Sequence, residues 1–131
     1  MKLMVDNDLP FRLAHSLQCI FPDDEIVALR DKFGRANLKD EEWITALGAE
    51  GDWSVISADR RITRNPVQRN AFLAAGLVGF FFSSSLKKAP LASQAARLLT
   101  LWPEICAQAQ LNRNGCFEVP TSGRKFRIIG R

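Results

Sequence analysis

Acidic side chains occur at three places that an open α/β sheet would bring together. They are Asp6 and Asp8, the triplet Asp40, Glu41 and Glu42, and Asp59. The first pair and Asp59 follow apolar runs typical of strands, and the triplet opens a helical pattern. Carboxylates gathered in this way suit hard divalent cations such as Mg²⁺ or Mn²⁺, which take oxygen ligands. The pattern therefore predicts metal-assisted cleavage of a phosphodiester.

Basic side chains follow the last of these acids along the chain. They are Arg60, Arg61, Arg64 and Arg69, with Lys87 and Lys88 further on. Because Arg and Lys make most contacts to phosphates, we expect these residues to bind a nucleic-acid backbone beside the metal. Charge is unevenly distributed along the whole chain: residues 1–59 hold 12 of the 14 acids, and residues 60–131 hold 12 of the 18 bases. An acidic pocket beside a basic surface suits a metal-dependent nuclease.

Alternating apolar segments predict the elements that position these groups. Strands are predicted at residues 2–5, 25–29, 53–57 and 77–82, and helices beginning at Leu9, Asp40 and Val67 are followed by a long helix at 91–111. Asp8 and Asp40 are predicted helix caps, and residues 30–39 a surface loop. The strand at 77–82 is apolar throughout, which indicates burial on both faces of a parallel sheet. This order predicts an α/β fold, a three-layer α/β/α sandwich with a mostly parallel central sheet.

The chain length of 131 residues predicts a single domain. Residues 1–85 form the predicted core with the acidic site, and residues 86–131 form an extension with a C-terminal helix and a β-hairpin. No apolar run approaches the roughly 18 residues of a membrane span, and no signal peptide is recognisable, so we expect a cytoplasmic protein that does not act at a membrane. Three widely spaced cysteines predict neither a disulfide framework nor a CxxC metal site.

The strand ends and one helix start converge in the predicted fold. Ligands of open parallel sheets bind at the carboxyl edge, where Asp6 and Asp59 leave their strands. A helix that begins at Asp40 runs antiparallel to the strands, so its N-terminus lies at the same edge. One acid of the triplet at 40–42 can thus reach the pocket, although acids in a first helical turn also occur because they stabilise the helix dipole. Carboxylates held this close repel one another unless a cation neutralises them.

Three stretches around these acids resemble the PIN-like nucleases, specifically those grouped with VapC-type toxins of toxin–antitoxin systems. The stretches are residues 4–10, residues 38–44, and residues 51–62 with Asn65 and Pro66. Each motif alone is weak, whereas their order and spacing together are fairly specific. The resemblance implies an α/β/α fold and an Mg²⁺- or Mn²⁺-dependent endoribonuclease, often restrained by a cognate antitoxin.

The resemblance also implies roles for the acids. The catalytic acids would be Asp6, Asp40 and Asp59, with Glu42 and Asp8 as further candidate metal ligands. The helix-start acid of the family falls first on Asp40 and second on Glu42, and Asp8 is either an outer ligand or only a helix cap. A fourth acid that full PIN domains often carry after Asp59 is missing, since only two acids follow it.

Two other functions remain open from the sequence. Asp6 and Asp8 form a DxD pair as in haloacid-dehalogenase-type phosphohydrolases, although that fold wants Thr or Val where Pro10 stands. A catalytically silent PIN-like module that binds RNA or a partner would keep the fold and the charge polarity without needing the acids. The basic arm of the hairpin at 124–129 could pair with another chain, such as an antitoxin, and a homodimer is a further expectation.

Overall fold

The computed structural model describes residues 1–35 and 37–130, and within them strands and helices alternate as the sequence predicts. The strands are β1 Lys2–Val5, β2 Glu25–Ala28, β3 Trp53–Ser57, β4 Val78–Phe82, β5 Gly115–Val119 and β6 Arg127–Ile128. The helices are α1 Phe11–Ile20, α2 Leu29–Phe33, α3 Asp40–Glu50, α4 Arg61–Arg64, α5 Pro66–Ala74, α6 Ser84–Lys88 and α7 Leu91–Leu111.

All six strands belong to one sheet, in the order β2-β1-β3-β4-β5-β6. The strands from β1 to β5 are parallel to one another, and β6 pairs antiparallel with β5. Parallel neighbours need crossover connections, which the helices supply. The predicted α/β fold with a mostly parallel central sheet is confirmed.

Side chains from both faces of the sheet are buried, which makes the fold three-layered. On β1, Leu3 and Val5 pack into one apolar cluster and Met4 packs into another. On β4, Phe80 and Phe81 divide between the two clusters in the same way. Helices α1 and α7 contribute to the first cluster, and α3 and α5 contribute to the second. The uninterrupted apolar character of β4 follows from this burial on both faces.

The structure adds three short helices to the predicted elements: α2, α4 and α6. The loop predicted at residues 30–39 begins inside α2. This helix ends at Phe33 and is followed by Gly34, which has a φ of 74° that glycine adopts without strain. Ala36, in the same predicted loop, lies outside the described residues. The serines that end β4 also start α6, because the Ser83 hydroxyl accepts a hydrogen bond from the Leu86 N–H. These helices have only four or five residues, too few to show a hydrophobic period.

The two predicted acidic helix caps are wrong. Asp8 does not cap α1, because that helix begins at Phe11 behind Pro10 and has no side-chain cap. Asp40 is the first residue of α3, and Lys39 occupies the N-cap position. Neither carboxylate therefore serves as a helix cap, and both lie at the carboxyl edge of the sheet.

The predicted C-terminal hairpin forms, but its first strand has a second role. β5 and β6 pair antiparallel, and β5 also pairs parallel with β4 along its whole length, from Gly115 opposite Val78 to Val119 opposite Phe82. The hairpin is therefore not an appendage, because it extends the central sheet by one parallel strand and one antiparallel strand.

The longest helix, α7, packs against one face of the sheet. It runs from Leu91 to Leu111 and continues through Pro103. Its buried side chains include Leu98 and Ile105, which join the same cluster as α1. Within residues 1–35 and 37–130 no helix, α7 included, is long and apolar enough to cross a membrane.

Candidate active site

Four carboxylates line one cavity at the carboxyl edge of the sheet. This acidic cavity measures about 190 Å³, and its charged lining residues are Asp6, Asp8, Asp40, Asp59 and Arg61. Asp6 follows β1 and Asp59 lies two residues beyond β3, so two neighbouring parallel strands deliver them to the same edge. Asp40 comes from the N-terminus of α3. The structure thus brings together four of the five acids predicted as metal ligands.

Glu42, the fifth predicted ligand, lies outside the acidic cavity. Its Oε2 forms an exposed ion pair of 3.1 Å with Nη2 of Arg35. Asp40 instead lines the cavity, and its Oδ1 accepts a hydrogen bond of 3.1 Å from the indole Nε1 of Trp43. Because Trp43 is fully buried, this bond holds the carboxylate at the cavity wall. Of the acids left open at the helix start, the structure favours Asp40.

Ser57, the last residue of β3, contacts three of the four acidic residues of the cavity. Its hydroxyl oxygen lies 2.9 Å from Oδ2 of Asp6 and 3.3 Å from Oδ1 of Asp8, and it accepts a hydrogen bond of 3.0 Å from the backbone N–H of Asp59. A hydroxyl carries one proton, so Asp6 and Asp8 share a single donor. Ser57 is completely buried, and its contacts therefore fix these residues relative to one another.

Burial and crowding act against the negative charges of Asp6 and Asp8. Desolvation, followed by the charge of Asp8, raises the pKa of Asp6 from 3.8 to about 6, although hydrogen bonds from Ser57 and the Asn7 N–H oppose the shift. Desolvation, followed by the charge of Asp59, raises the pKa of Asp8. The two anions destabilise each other in this cavity, and a cation placed between them would remove that penalty.

Asp59 has the opposite electrostatic environment. Desolvation alone would raise its pKa, but hydrogen bonds and charge from Arg61 outweigh that effect and lower it. Nη2 and Nε of Arg61 lie 2.6 Å and 2.7 Å from Oδ2, and the Arg61 backbone N–H donates to Oδ1 at 2.9 Å. The Arg61 side chain is 79% exposed, so this ion pair lies at the mouth of the cavity. Both oxygens of Asp59 are therefore engaged by Arg61.

The donor set suits a hard cation, but the oxygens are bound to other groups. Among residues 1–35 and 37–130, no group of three or more His, Cys, Asp or Glu side chains is arranged to hold a metal ion. Ser57, Trp43 and Arg61 instead donate hydrogen bonds to carboxylate oxygens of Asp6, Asp40 and Asp59. Four carboxylates around one cavity still supply the oxygen-only ligands that Mg²⁺ and Mn²⁺ take. Metal binding through Asp59 would compete with Arg61 for the oxygens of this carboxylate.

A larger basic cavity adjoins the acidic one. It measures about 670 Å³ and shares Asp8, Asp59 and Arg61 with the acidic cavity. The cations of its wall come from α4, α6 and the preceding loop: Arg60, Arg61, Arg64, Lys87 and Lys88. Lys87 contributes to the lowered pKa of Asp59, so the two cavities are electrostatically coupled. Phosphates in the basic cavity would therefore lie beside the carboxylates.

Two of the four arginines predicted to bind nucleic acid are tied into the fold. Arg60 lines the basic cavity, but its Nη1 donates to Oε2 of Glu118 at 3.0 Å and thereby links the start of α4 to β5. Arg69 lines neither cavity and donates to a backbone carbonyl of α4. Arg61 and Arg64 are exposed and line the basic cavity. The structure thus divides the predicted set into two fold-stabilising and two accessible arginines.

Sequence reasoning did not single out Ser57. The available signal was a hydroxyl at the buried end of an apolar strand, two positions before Asp59. That signal is weak, because Ser54 on the same strand is also buried and its hydroxyl makes no hydrogen bond to any described residue. Only the pairing of β1 with β3 shows which of the two serines meets Asp6.

A comparison with protein families agrees with this geometry. Residues 1–84 match the family described as PIN like domain. The chain belongs to this family. PIN-like domains are typically nucleases, and all four carboxylates of the acidic cavity lie inside the matched region of this PIN-like domain. Neither a curated protein nor a solved structure matches the chain.

Proposed function

We propose that this PIN-like domain is an endoribonuclease that hydrolyses RNA phosphodiester bonds with a carboxylate-bound Mg²⁺ or Mn²⁺ ion. One observation carries the proposal: the acidic and basic cavities share Asp8, Asp59 and Arg61. Carboxylates alone would repel a nucleic acid, whereas the adjoining cations offset that repulsion and hold a phosphodiester next to them.

We assign different roles to the residues of the acidic cavity. Asp6, Asp40 and Asp59, which line the acidic cavity, would supply the oxygen ligands, and Asp8 would be an outer ligand. When bound, the ion would lower the pKa of a water molecule and stabilise charge on the phosphate. Ser57 keeps the segments of Asp6, Asp8 and Asp59 in register. Arg61 would compete with the ion for Asp59, and its guanidinium, when not bound to that carboxylate, would neutralise the substrate phosphate.

The basic cavity binds the RNA backbone rather than its bases. Arg64, Lys87 and Lys88 are exposed on its wall, and each can contact a phosphate. The aromatic side chain on this wall, Phe82, is fully buried and offers no surface for base stacking. We therefore expect this part of the site to bind RNA with strong salt dependence and little sequence preference.

We further propose that the chain is the toxin of a toxin–antitoxin pair and acts in the cytoplasm. The support is the resemblance of its acidic motifs to those of VapC-type toxins, together with an edge strand that a partner could use. β6 ends the sheet, and both of its residues are exposed. An antitoxin segment could add to this edge through backbone hydrogen bonds. A homodimer stays a prediction to which no surface is assigned.

Incubation of the purified protein with single-stranded RNA and Mn²⁺ tests the activity. We expect cleavage that stops when the metal is chelated. Asp6→Asn and Asp59→Asn should each lower the rate by at least about ten- to hundred-fold, the range seen for groups that only support a metal ligand. Asp23→Asn is the matched control, because Asp23 is exposed and lies outside both cavities. Full activity of either active-site variant would contradict the proposal.

A catalytically silent module that binds RNA or a partner is the second candidate. It is favoured by the engagement of both Asp59 oxygens with Arg61. RNA binding without cleavage at any Mn²⁺ concentration, unchanged in Asp6→Asn, would establish this alternative. Release of phosphate from small phosphomonoesters while RNA stays intact would instead indicate a haloacid-dehalogenase-type phosphohydrolase.

A further inference from the structure

Three cavities along the carboxyl edge share residues and form one cleft. The acidic cavity adjoins the basic cavity on one side and a third cavity, of about 310 Å³, on the other. The third cavity shares Asp6 and Asn7 with the acidic cavity, and it is lined by none of the cations of the basic cavity. The remaining lining residues of this platform cavity are Val5, Leu9, Pro10, Phe11, Ala28 and Arg30. A polymer whose reacting bond lies in the acidic cavity therefore has room for a neighbouring unit on each side.

The platform cavity contains a stacked pair of side chains. The Cζ of Arg30 lies 3.5 Å from the centroid of the Phe11 ring, and the ring of His15 contacts Phe11 edge-on. Arg30 is exposed and forms no ion pair with any carboxylate of residues 1–35 and 37–130. The Phe11 ring thus holds the guanidinium of Arg30 in place, while the outer face of the guanidinium stays open to the cavity.

The chemistry of this cavity differs from that of the basic cavity. Its walls carry one cation, Arg30, together with accessible apolar surface from Pro10 and Phe11. The basic cavity carries five cations. A phosphate binds most strongly where several cations converge, whereas a flat aromatic group binds most strongly to a guanidinium plane bordered by apolar side chains. Unpaired nucleobases stack on arginine planes in this way.

We propose that Arg30 and Phe11 form a stacking subsite for an unpaired nucleobase of single-stranded RNA, on the side of the acidic cavity opposite Lys87 and Lys88. This inference rests on the proposed function and assigns the two sides of the cleft different tasks. The basic cavity holds phosphates, and the platform cavity holds a base next to the reacting phosphodiester. A base-paired strand cannot present its face to Arg30, so the subsite selects unpaired RNA.

Binding of a short labelled single-stranded RNA, measured by fluorescence anisotropy in the presence of a chelator, tests the subsite without cleavage. An abasic nucleotide is placed at each position of the RNA in turn, and every RNA is titrated against the wild type and Arg30→Ala. In the wild type one position should be about five-fold or more sensitive to loss of its base, the range for one stacked base. In Arg30→Ala that sensitivity should disappear, whereas the cost of an abasic nucleotide elsewhere is unchanged.

Three further variants separate stacking from charge and folding. Arg30→Lys keeps the charge but not the planar guanidinium, and it should also lose the sensitivity to the abasic nucleotide. Phe11→Leu should weaken that sensitivity. Arg12→Ala removes an exposed arginine of α1 that lines none of the three cavities and should keep it. Circular dichroism verifies that each variant is folded.

Two results would overturn the subsite and can be told apart. Wild-type protein that binds RNA, with equal sensitivity to abasic nucleotides in wild type and Arg30→Ala, would refute the subsite alone. Wild-type protein that binds no RNA would refute the proposed function and the subsite with it.

Discussion

The guanidinium of Arg61 lies across the carboxylate of Asp59, with Nη2 and Nε 2.6 Å and 2.7 Å from the same oxygen. The two residues are only two positions apart, so α4 places the cation next to the acid as soon as the chain leaves β3. Arg61 also lines both the acidic and the basic cavity. It can therefore contact either the carboxylate or a phosphate, and a metal ion competes with it for Asp59.

Arg61→Ala should bind Mn²⁺ more tightly than the wild type, by about two- to five-fold, because an exposed ion pair no longer competes for Asp59. The same variant should bind RNA more weakly, because one phosphate contact is lost. Isothermal titration with Mn²⁺ measures the first effect. Arg64→Ala is the control, since Arg64 lines only the basic cavity and should leave Mn²⁺ affinity unchanged. Equal Mn²⁺ affinity in the wild type and Arg61→Ala would refute the competition.

Asp6→Asn should stabilise the metal-free protein at neutral pH. The pKa of Asp6 is raised from 3.8 to about 6 in the folded state, so the folded protein binds this proton more tightly than the unfolded chain does. The free energy of unfolding therefore falls as the pH rises through that interval. The penalty is complete at pH 7, where it amounts to at most about 3 kcal/mol, and it is absent below the unfolded-state pKa. Asparagine removes it, so urea unfolding of the variant and the wild type should differ at pH 7 and converge near pH 4. A variant that is less stable at pH 7 would contradict this reading.

Ser57→Ala should destabilise the protein by about 1–3 kcal/mol at neutral pH, the cost of leaving buried polar groups without a partner. Asp6 loses its buried donor, and the Asp59 N–H loses its acceptor. Ser54→Ala on the same strand is the control and should cost less, because the Ser54 hydroxyl makes no hydrogen bond within residues 1–35 and 37–130. Chemical denaturation measures both. Equal costs for the two serines would show that the Ser57 network contributes nothing to stability.

Arg60→Ala should mainly change the stability of the protein, whereas Arg64→Ala should mainly change RNA binding. Arg60→Ala should lower the free energy of unfolding by about 1–2 kcal/mol, because its half-buried ion pair with Glu118 joins α4 to β5. Arg64→Ala should change stability by less than about 0.5 kcal/mol. It should weaken RNA binding and lower the dependence of log K on log salt concentration by about one. Thermal melting and binding titrations at several salt concentrations distinguish the two effects, and a destabilised Arg64→Ala would contradict the assignment.

Most of the fold could be predicted because apolar periodicity reports burial. The strand at β4 shows this best, since a run without polar positions indicates two covered faces. Asp6 and Asp59 were recognisable as site candidates for the same reason, because each follows a strand and parallel strands end at one edge. The choice of Asp40 over Glu42 needed the structure, because both lie in the first turn of α3 and only the rotation of the helix decides which one lines the cavity.

Two of the contacts that shape the site could not be predicted, because they join distant residues. Arg60 is 58 positions from Glu118, and Ser57 is 51 positions from Asp6. Nothing local distinguishes Arg60 from Arg61, yet one arginine holds the fold together and the other covers the candidate metal ligand. Charge alone predicted a basic surface, and only the ion pair between Arg60 and Glu118 shows that these arginines differ in their roles.

The parallel pairing of β5 with β4 has a consequence for how the chain can be divided. Similarity to other PIN-like domains ends at residue 84, but the hydrogen-bonding partner of β4 begins at Gly115. A fragment cut where the similarity stops would leave one edge of its most aromatic strand open to solvent and without backbone partners. The segment that matches the family is therefore shorter than the segment that completes the sheet.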